Sequence, residues 1–170
     1  VLTQAQQRPV VARIRPGHRG LPDGTEWHCT SIARHLVDAT ASFPPLAQVP
    51  PRASVLTGPQ AHELTGPAGT PETGPVARFI VDPDPAIVRS GLVAEAASTA
   101  EGHLIDEHLA FITTTVRPDP WLGRCMEILE PTSLKAAVAT CRRLGLSSAT
   151  LWVRGFQRPP HLAMPQGPDA

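Results

Sequence analysis

The sequence predicts a mixed α and β fold of the α/β class, which ends in a β-α-β-β-α-β unit. Three observations predict it: strand-like runs of β-branched residues before residue 57, a break rich in Pro and Gly at residues 57 to 75, and helical patterns between strand patterns after that break. The chain has 170 residues, 41% of them hydrophobic, so it can bury a core but is short for two domains of usual size. We therefore expect one compact unit with an appendage.

Residues 1 to 56 carry strand patterns and no helical pattern. Strands are predicted at residues 8 to 15, 25 to 32, 35 to 43 and 52 to 56, and the second and third of these form a hairpin. Because four strands without a helix cannot cover both faces of a sheet, this block is expected to pack against something absent from the chain. Residues 57 to 75 have the composition of a linker, and a domain boundary is predicted there.

The second block, residues 76 to 156, begins with a strand and a helix. The strand at residues 76 to 81 ends at Asp82, after which Asp84 can cap a helix and Pro85 can occupy its first position. That helix is predicted to extend to Thr99. Its inward side chains are predicted to be Ile87, Val88, Gly91, Leu92 and Ala96, and its outward ones Arg89, Glu95 and Ser98.

Two more strands, a helix and a closing strand complete this block. Residues 108 to 115 and 121 to 130 are predicted to pair as antiparallel strands. The helix is predicted to begin at a cap on Thr132 or Ser133 and to stop at Gly145. Its buried face is predicted to consist of Leu134, Ala137, Val138, Cys141 and Leu144.

A strand at residues 148 to 154 closes the β-α-β-β-α-β order, which is that of ferredoxin-like folds. Such an order predicts two helices on one face of a four-stranded antiparallel sheet. Residues 157 to 170 are expected to form a flexible tail.

Charge and cysteine content set bounds on location and partners. Lys+Arg and Asp+Glu number 15 each, so no global field attracts nucleic acid or an anionic membrane. Three cysteines without CxxC spacing argue against a disulfide framework, and we expect a reducing, cytoplasmic location. Neither a membrane span nor a signal peptide is predicted, and the initial Val1 suggests that part of a larger protein precedes the chain.

The signatures of common catalytic centres are missing from the sequence. It contains no GxGxxG, GxSxG or HExxH pattern and no Walker loop, so we expect no complete catalytic centre, no cofactor site and no metal site in this chain. The polar run at residues 103 to 108 is interpreted as a solvated turn. His28 and Cys29 are adjacent on a predicted strand, so they should point to opposite faces and cannot act together.

One candidate binding feature remains, a run of cations near the end of the chain. Between Pro131 and Pro160 there is no acidic residue. The cations of this run, some on the helix face opposite its apolar side chains and some after the last strand, are Lys135, Arg142, Arg143, Arg154 and Arg158. They could form a patch that contacts phosphates, or they could be an ordinary solvated helix face with cations favoured by the helix dipole.

Residues 74 to 92, 121 to 138 and 147 to 156 resemble, in order and spacing, the THUMP-like domain at the C-terminus of a family of class I S-adenosylmethionine-dependent methyltransferases. The most specific part is the stretch from Asp82 to Leu92. Residues 10 to 43 are similar to the last strands and closing antiparallel hairpin of that family's Rossmann-like methyltransferase sheet. Where the family has lysines before the pair Arg154-Gly155, this chain has Trp and Val, which leaves Arg154 as the main matching cation.

The resemblance implies methyl transfer from S-adenosylmethionine by an upstream domain, with the THUMP-like domain assisting recognition of a structured RNA. The cofactor-binding loops of such enzymes would precede residue 1, so this chain alone is not expected to bind the cofactor. Its expected partners are structured RNA and the missing N-terminal methyltransferase domain, with no membrane and no metal. The alternative is a standalone ferredoxin-like interaction or regulatory module without a nucleic-acid role. Salt-dependent RNA binding would favour the first interpretation, and its absence at low ionic strength would favour the alternative.

Overall fold

Two sheets and three short helices make up the computed structural model, which describes residues 11–13, 24–44, 46–47, 50–133 and 135–146. The α/β class predicted from the sequence is confirmed. The chain divides into two compact units, Val1–Ile128 and Leu129–Ala170. The elements of the first unit are β1 (Val11–Arg13), β2 (Glu26–Ile32), β3 (His35–Ser42), β4 (Arg52–Thr57), β5 (Gln60–Thr65), β6 (Phe79–Pro83), α1 (Pro85–Ser90), α2 (Val93–Thr99), β7 (His103–Asp106), β8 (Leu109–Thr114) and β9 (Gly123–Glu127).

The first sheet has the strand order β1-β3-β2-β4-β5. Strands β2 and β3 form the predicted antiparallel hairpin, with a register shift between Thr30 and Ser31. Strand β4 lies on the other side of β2 and is parallel to it, because the chain crosses over after β3. The strands predicted at residues 25 to 32, 35 to 43 and 52 to 56 are thus confirmed, and the described part of the first predicted strand is β1.

The segment predicted to be a linker contains a strand. Strand β5 pairs with β4 along its whole length, from Thr57 opposite Gln60 to Arg52 opposite Thr65. A tight turn at Gly58, whose φ of 59° favours glycine, joins the two strands. Because β5 is an edge strand with four of its six residues exposed, it needs few apolar side chains, and its composition resembles that of a loop.

The second sheet has the order β7-β8-β6-β9, and all neighbouring strands are antiparallel. The prediction that residues 108 to 115 pair with residues 121 to 130 is wrong, because β8 and β9 lie on opposite sides of β6. A 3₁₀ turn, Pro120–Leu122, makes the crossing. At Gly123 a Cβ atom would lie 2.3 Å from the Asp82 carbonyl oxygen, so glycine permits the close approach to β6.

The helix predicted from Pro85 to Thr99 is two helices. Asp84 caps α1 as predicted, and its side chain accepts a hydrogen bond from the Ala86 amide at 2.8 Å. Gly91, with φ of 81°, ends α1, and the Leu92 amide donates to the Ile87 carbonyl at 3.1 Å, as in a Schellman motif. Gly91 and Val88 are exposed, and the remaining predicted core residues, Ile87, Leu92 and Ala96, are buried.

Helix α1 covers one face of the first sheet. The sequence had suggested that residues 1 to 56 need a cover from outside the chain, but for this face α1 supplies it. Ala86 and Ile87 of α1 are fully buried in one core with Cys29, Ala53 and Val55 of the sheet. The Trp27 indole N–H donates to the Arg89 carbonyl oxygen at 2.9 Å, which satisfies a backbone acceptor at the end of α1.

The described part of the second unit contains helix α3 (Ala137–Arg143). It begins later than predicted and ends just before Gly145, whose φ is 71°. Three of its predicted core residues, Ala137, Val138 and Cys141, are only half-buried, and Leu144 is exposed. Leu134, the strand predicted at residues 148 to 154 and the tail at 157 to 170 lie outside the described residues, and the ferredoxin-like arrangement is not confirmed.

Candidate functional site

The predicted cations that fall in the described part of the chain lie on and just before α3. Lys135 and Arg142 are exposed, and no ion pair involves either of them among the described residues. Arg143 is also exposed, but its guanidinium forms an ion pair with the carboxylate of Glu130. Arg154 and Arg158 lie outside the described residues, so their place in the patch stays a prediction.

The segment before α3 folds back along the helix and forms hydrogen bonds with it. The hydroxyl groups of Thr132 and Thr140 lie 3.0 Å apart, and the Ser133 hydroxyl accepts a hydrogen bond from the Ala136 amide at 3.3 Å. These contacts place Glu130 beside the last turn of the helix, where it meets Arg143. The result is a short helix that, with the segment before it, presents three cations and one carboxylate, a surface able to hold phosphate groups.

A second polar group, which the sequence did not predict, lies on the face of the first sheet opposite α1. His28 Nε2 lies 2.8 Å from the Ser54 hydroxyl oxygen, and that hydroxyl donates to the Glu63 carboxylate at 3.3 Å. Arg52 forms an ion pair with Glu26 at 3.3 Å on the same strands. These five residues, named here the sheet cluster, join β2, β4 and β5 across their shared registers.

Burial lowers the pKa of His28, and the neighbouring Arg52 guanidinium lowers it further. The imidazole is therefore held neutral near pH 7, and because the single Ser54 hydroxyl hydrogen goes to Glu63, the His28 Nε2–H donates to the Ser54 oxygen. Ser54 is buried, and its hydroxyl forms hydrogen bonds with both the imidazole and the carboxylate. This geometry orders three strands, and it offers no exposed nucleophile.

Cys29 lies on the opposite face of the sheet from His28, as the alternation of the strand predicts. The thiol is completely buried, and burial raises its pKa to about 12. It is therefore protonated at neutral pH and unreactive as a nucleophile. The adjacent pair His28 and Cys29 does not act as a catalytic unit.

The acidic motif from Asp82 to Pro85 is a junction between the β2–β3 hairpin and α1. The Ser31 hydroxyl donates to Asp84 Oδ1 at 2.5 Å, inside the core, and Arg34 forms an ion pair with Asp82 at 3.3 Å. Arg34 and its neighbour Ala33 both have positive φ, at 65° and 47°, which is uncommon for residues other than glycine. The hairpin turn is thus held in an unfavourable conformation that directs Arg34 to Asp82.

The polar run at residues 103 to 108 includes strand β7 and the turn after it, whereas the sequence predicted only a turn. His103 Nε2 lies 2.8 Å from the Pro75 carbonyl oxygen, and the Asp106 carboxylate accepts from the His108 amide at 2.8 Å. Asp106, Glu107 and His108 are exposed, as expected of a solvated turn. In the described part of the chain, no group of three or more His, Cys, Asp or Glu side chains is arranged to hold a metal ion.

The described helices are short. None of them has the length and apolar character needed to cross a membrane.

Comparison with known proteins gives one structural likeness. The sequence matches no protein-family model and no curated protein. The fold is similar to that of a "putative methyltransferase" from Porphyromonas gingivalis W83, with a TM-score of 0.50 and 14% identity. The likeness covers 70% of this chain and 33% of that one, so this chain spans about a third of the length of the protein it resembles. At this identity the likeness concerns the fold.

Proposed function

We propose that this chain is the accessory substrate-recognition part of an S-adenosylmethionine-dependent methyltransferase and that it binds structured RNA through α3. The observation that carries the proposal is the similarity in fold to one third of a longer chain described as a "putative methyltransferase". A region of that size is large enough to recognise a substrate while another domain performs the chemistry. The sequence resemblance to THUMP-like domains gives RNA as the substrate class.

The exposed cations of α3 supply the contacts that RNA binding needs. Lys135 lies just before a short helix that carries Arg142 and Arg143, and the only acidic residue in the sequence between positions 129 and 168 is Glu130. Structured RNA presents phosphates at regular spacing, and each phosphate that is neutralised releases a counterion, so affinity falls as salt rises. The proposed role needs no catalytic residue and no cofactor within this chain.

The experiment is a titration of a fluorescently labelled RNA hairpin with the full chain at several salt concentrations. The test variant is Lys135→Gln with Arg142→Gln, which removes two exposed cations that have no ion pair among the described residues. We expect weaker binding and a log–log salt slope that is smaller by about 1.4 to 1.8, because each lost phosphate contact lowers the slope by roughly 0.7 to 0.9.

The charge-matched control is Arg78→Gln with Arg117→Gln, two exposed arginines in the first unit. This variant loses the same net charge and should keep the wild-type slope. If wild-type chain fails to bind RNA at low ionic strength, the RNA-binding role is wrong and an interaction module without a nucleic-acid role is favoured. Equal losses in both variants would mean that α3 is not the contact surface.

A further inference from the structure

The ion pair between Glu130 and Arg143 lies at the end of α3 that carries most of its charge. Arg142 and Arg143 occupy its last turn, where the helix dipole also favours cations. Glu130 lies only seven positions before the first residue of the helix. The contact between Thr132 and Thr140 holds the segment that contains Glu130 near the C-terminal end of the helix. One carboxylate thus lies within the proposed phosphate-binding surface and contacts one of its cations.

A carboxylate on an arginine has the geometry of a phosphate on an arginine. Both anions accept hydrogen bonds from the planar guanidinium group, and both can do so through two oxygens. An RNA phosphate and the Glu130 carboxylate would therefore use the same donors of Arg143. They cannot occupy these donors together without like-charge repulsion.

The pair is weak enough to be displaced. The side chains of Arg143 and Glu130 are 58% and 38% exposed, so water and salt screen their attraction. A phosphate backbone that also contacts Lys135 and Arg142 can then outcompete a single carboxylate. A small anion that contacts Arg143 alone gains little over the pair it breaks.

We infer that Glu130 occupies the phosphate position on Arg143 in the RNA-free chain and acts as an internal competitor that sets RNA affinity and selectivity. This inference rests on the proposed function of α3. Removal of the carboxylate should release Arg143 for RNA. Glu130 is thus a specificity-determining residue of the surface.

The test measures binding of the same labelled RNA hairpin by the full chain and its Glu130→Gln variant. Glutamine keeps the size of the side chain and removes its charge. We expect the variant to bind roughly two- to fivefold more tightly, the range that corresponds to an exposed ion pair. The charge-matched control is Glu72→Gln, an exposed residue of the first unit, which should leave the affinity unchanged.

Competition is separated from general repulsion by repeating the substitution with Arg143→Gln already present. If Glu130 competes for Arg143, Glu130→Gln has no further effect in that background. A gain that persists without Arg143, or wild-type RNA binding that Glu130→Gln does not change, would overturn the inference while leaving RNA recognition by α3 intact. Absence of RNA binding by both wild type and Glu130→Gln would overturn the proposed function, and this inference with it.

Discussion

At the scale of single residues, the fold favours the neutral form of His28. Its ring is half-buried within the sheet cluster, and its Nε2 meets a hydroxyl group that is also held by Glu63. Burial and the Arg52 guanidinium disfavour the imidazolium, while Glu63, Glu26 and Asp38 act in the opposite direction but less strongly. The folded chain therefore prefers a neutral histidine at this position.

This preference predicts that stability falls as pH decreases below 6.5, the ordinary pKa of histidine. The pKa of His28 is lowered in the folded chain, so between that value and 6.5 the unfolded chain binds more protons and acid favours unfolding. The stability contributed by His28 is present above 6.5 and is lost as pH falls through the folded pKa. The His28→Gln variant should lose less stability over this range than wild type, as measured by urea unfolding on both sides of pH 6.5.

The matched control for this prediction is His35→Gln at the exposed end of β3, which removes a histidine but leaves the sheet cluster intact. It should retain the wild-type loss of stability in acid. An acid-dependent loss in His28→Gln as large as that of wild type would show that His28 is not the group responsible.

Residue-level features that depend on chain neighbours could be predicted from the sequence, and those that depend on strand register could not. The Asp84 cap and the opposite orientation of His28 and Cys29 follow from adjacent positions, and both are found. The contact of His28 with Ser54 requires β4 to lie parallel to β2, after a crossover that no local pattern encodes. The partner of Arg143 was missed because Glu130 lies one residue outside the acid-free run.

At the scale of elements, strands and caps with strong patterns were predicted more successfully than pairings. β2, β3 and β4 lie where β-branched alternation predicts them, whereas β5 is a largely polar edge strand and β7 is an edge strand of only 4 residues. The first helical pattern was right in position but not in continuity. The spacing of apolar residues alone does not show whether a helix continues through Gly91. This glycine adopts a left-handed conformation, which ends the helix.

The pairing of β5 with β4 makes a prediction about hydrogen exchange. Amides of residues 60 to 65 that donate to β4 should exchange at least about tenfold more slowly than those of Gly66, Ala68 and Thr70, a difference of about 1.4 kcal/mol in opening free energy. These three residues serve as an internal control because they follow closely in sequence and lie outside any strand. Equal, fast exchange of both segments would favour the linker that the composition predicts.

At the scale of the first unit, the two sheets are joined through α1 and not only through the chain between them. Ile87 of α1 is fully buried in a core to which both sheets contribute. The Ser31 hydroxyl reaches Asp84 across the same junction, and Trp27 reaches the last turn of α1. Periodicity located α1 but could not reveal which sheet it covers, because its apolar stripe fits either face equally well.

This junction predicts that residues 76 to 170 alone do not fold cooperatively. Deletion of residues 1 to 75 would expose Ile87, at a cost of about 1.5 to 3 kcal/mol, and would leave the Asp84 carboxylate without its Ser31 donor. These losses are large against the roughly 5 to 15 kcal/mol that stabilises a typical domain. Urea unfolding followed by circular dichroism should show a broad transition for this fragment and a cooperative one for residues 1 to 128, which retain both sides of the junction. A cooperative transition in residues 76 to 170 would instead support an independent domain after the Pro- and Gly-rich break, and would mean that the contacts of α1 with the first sheet contribute little to its stability.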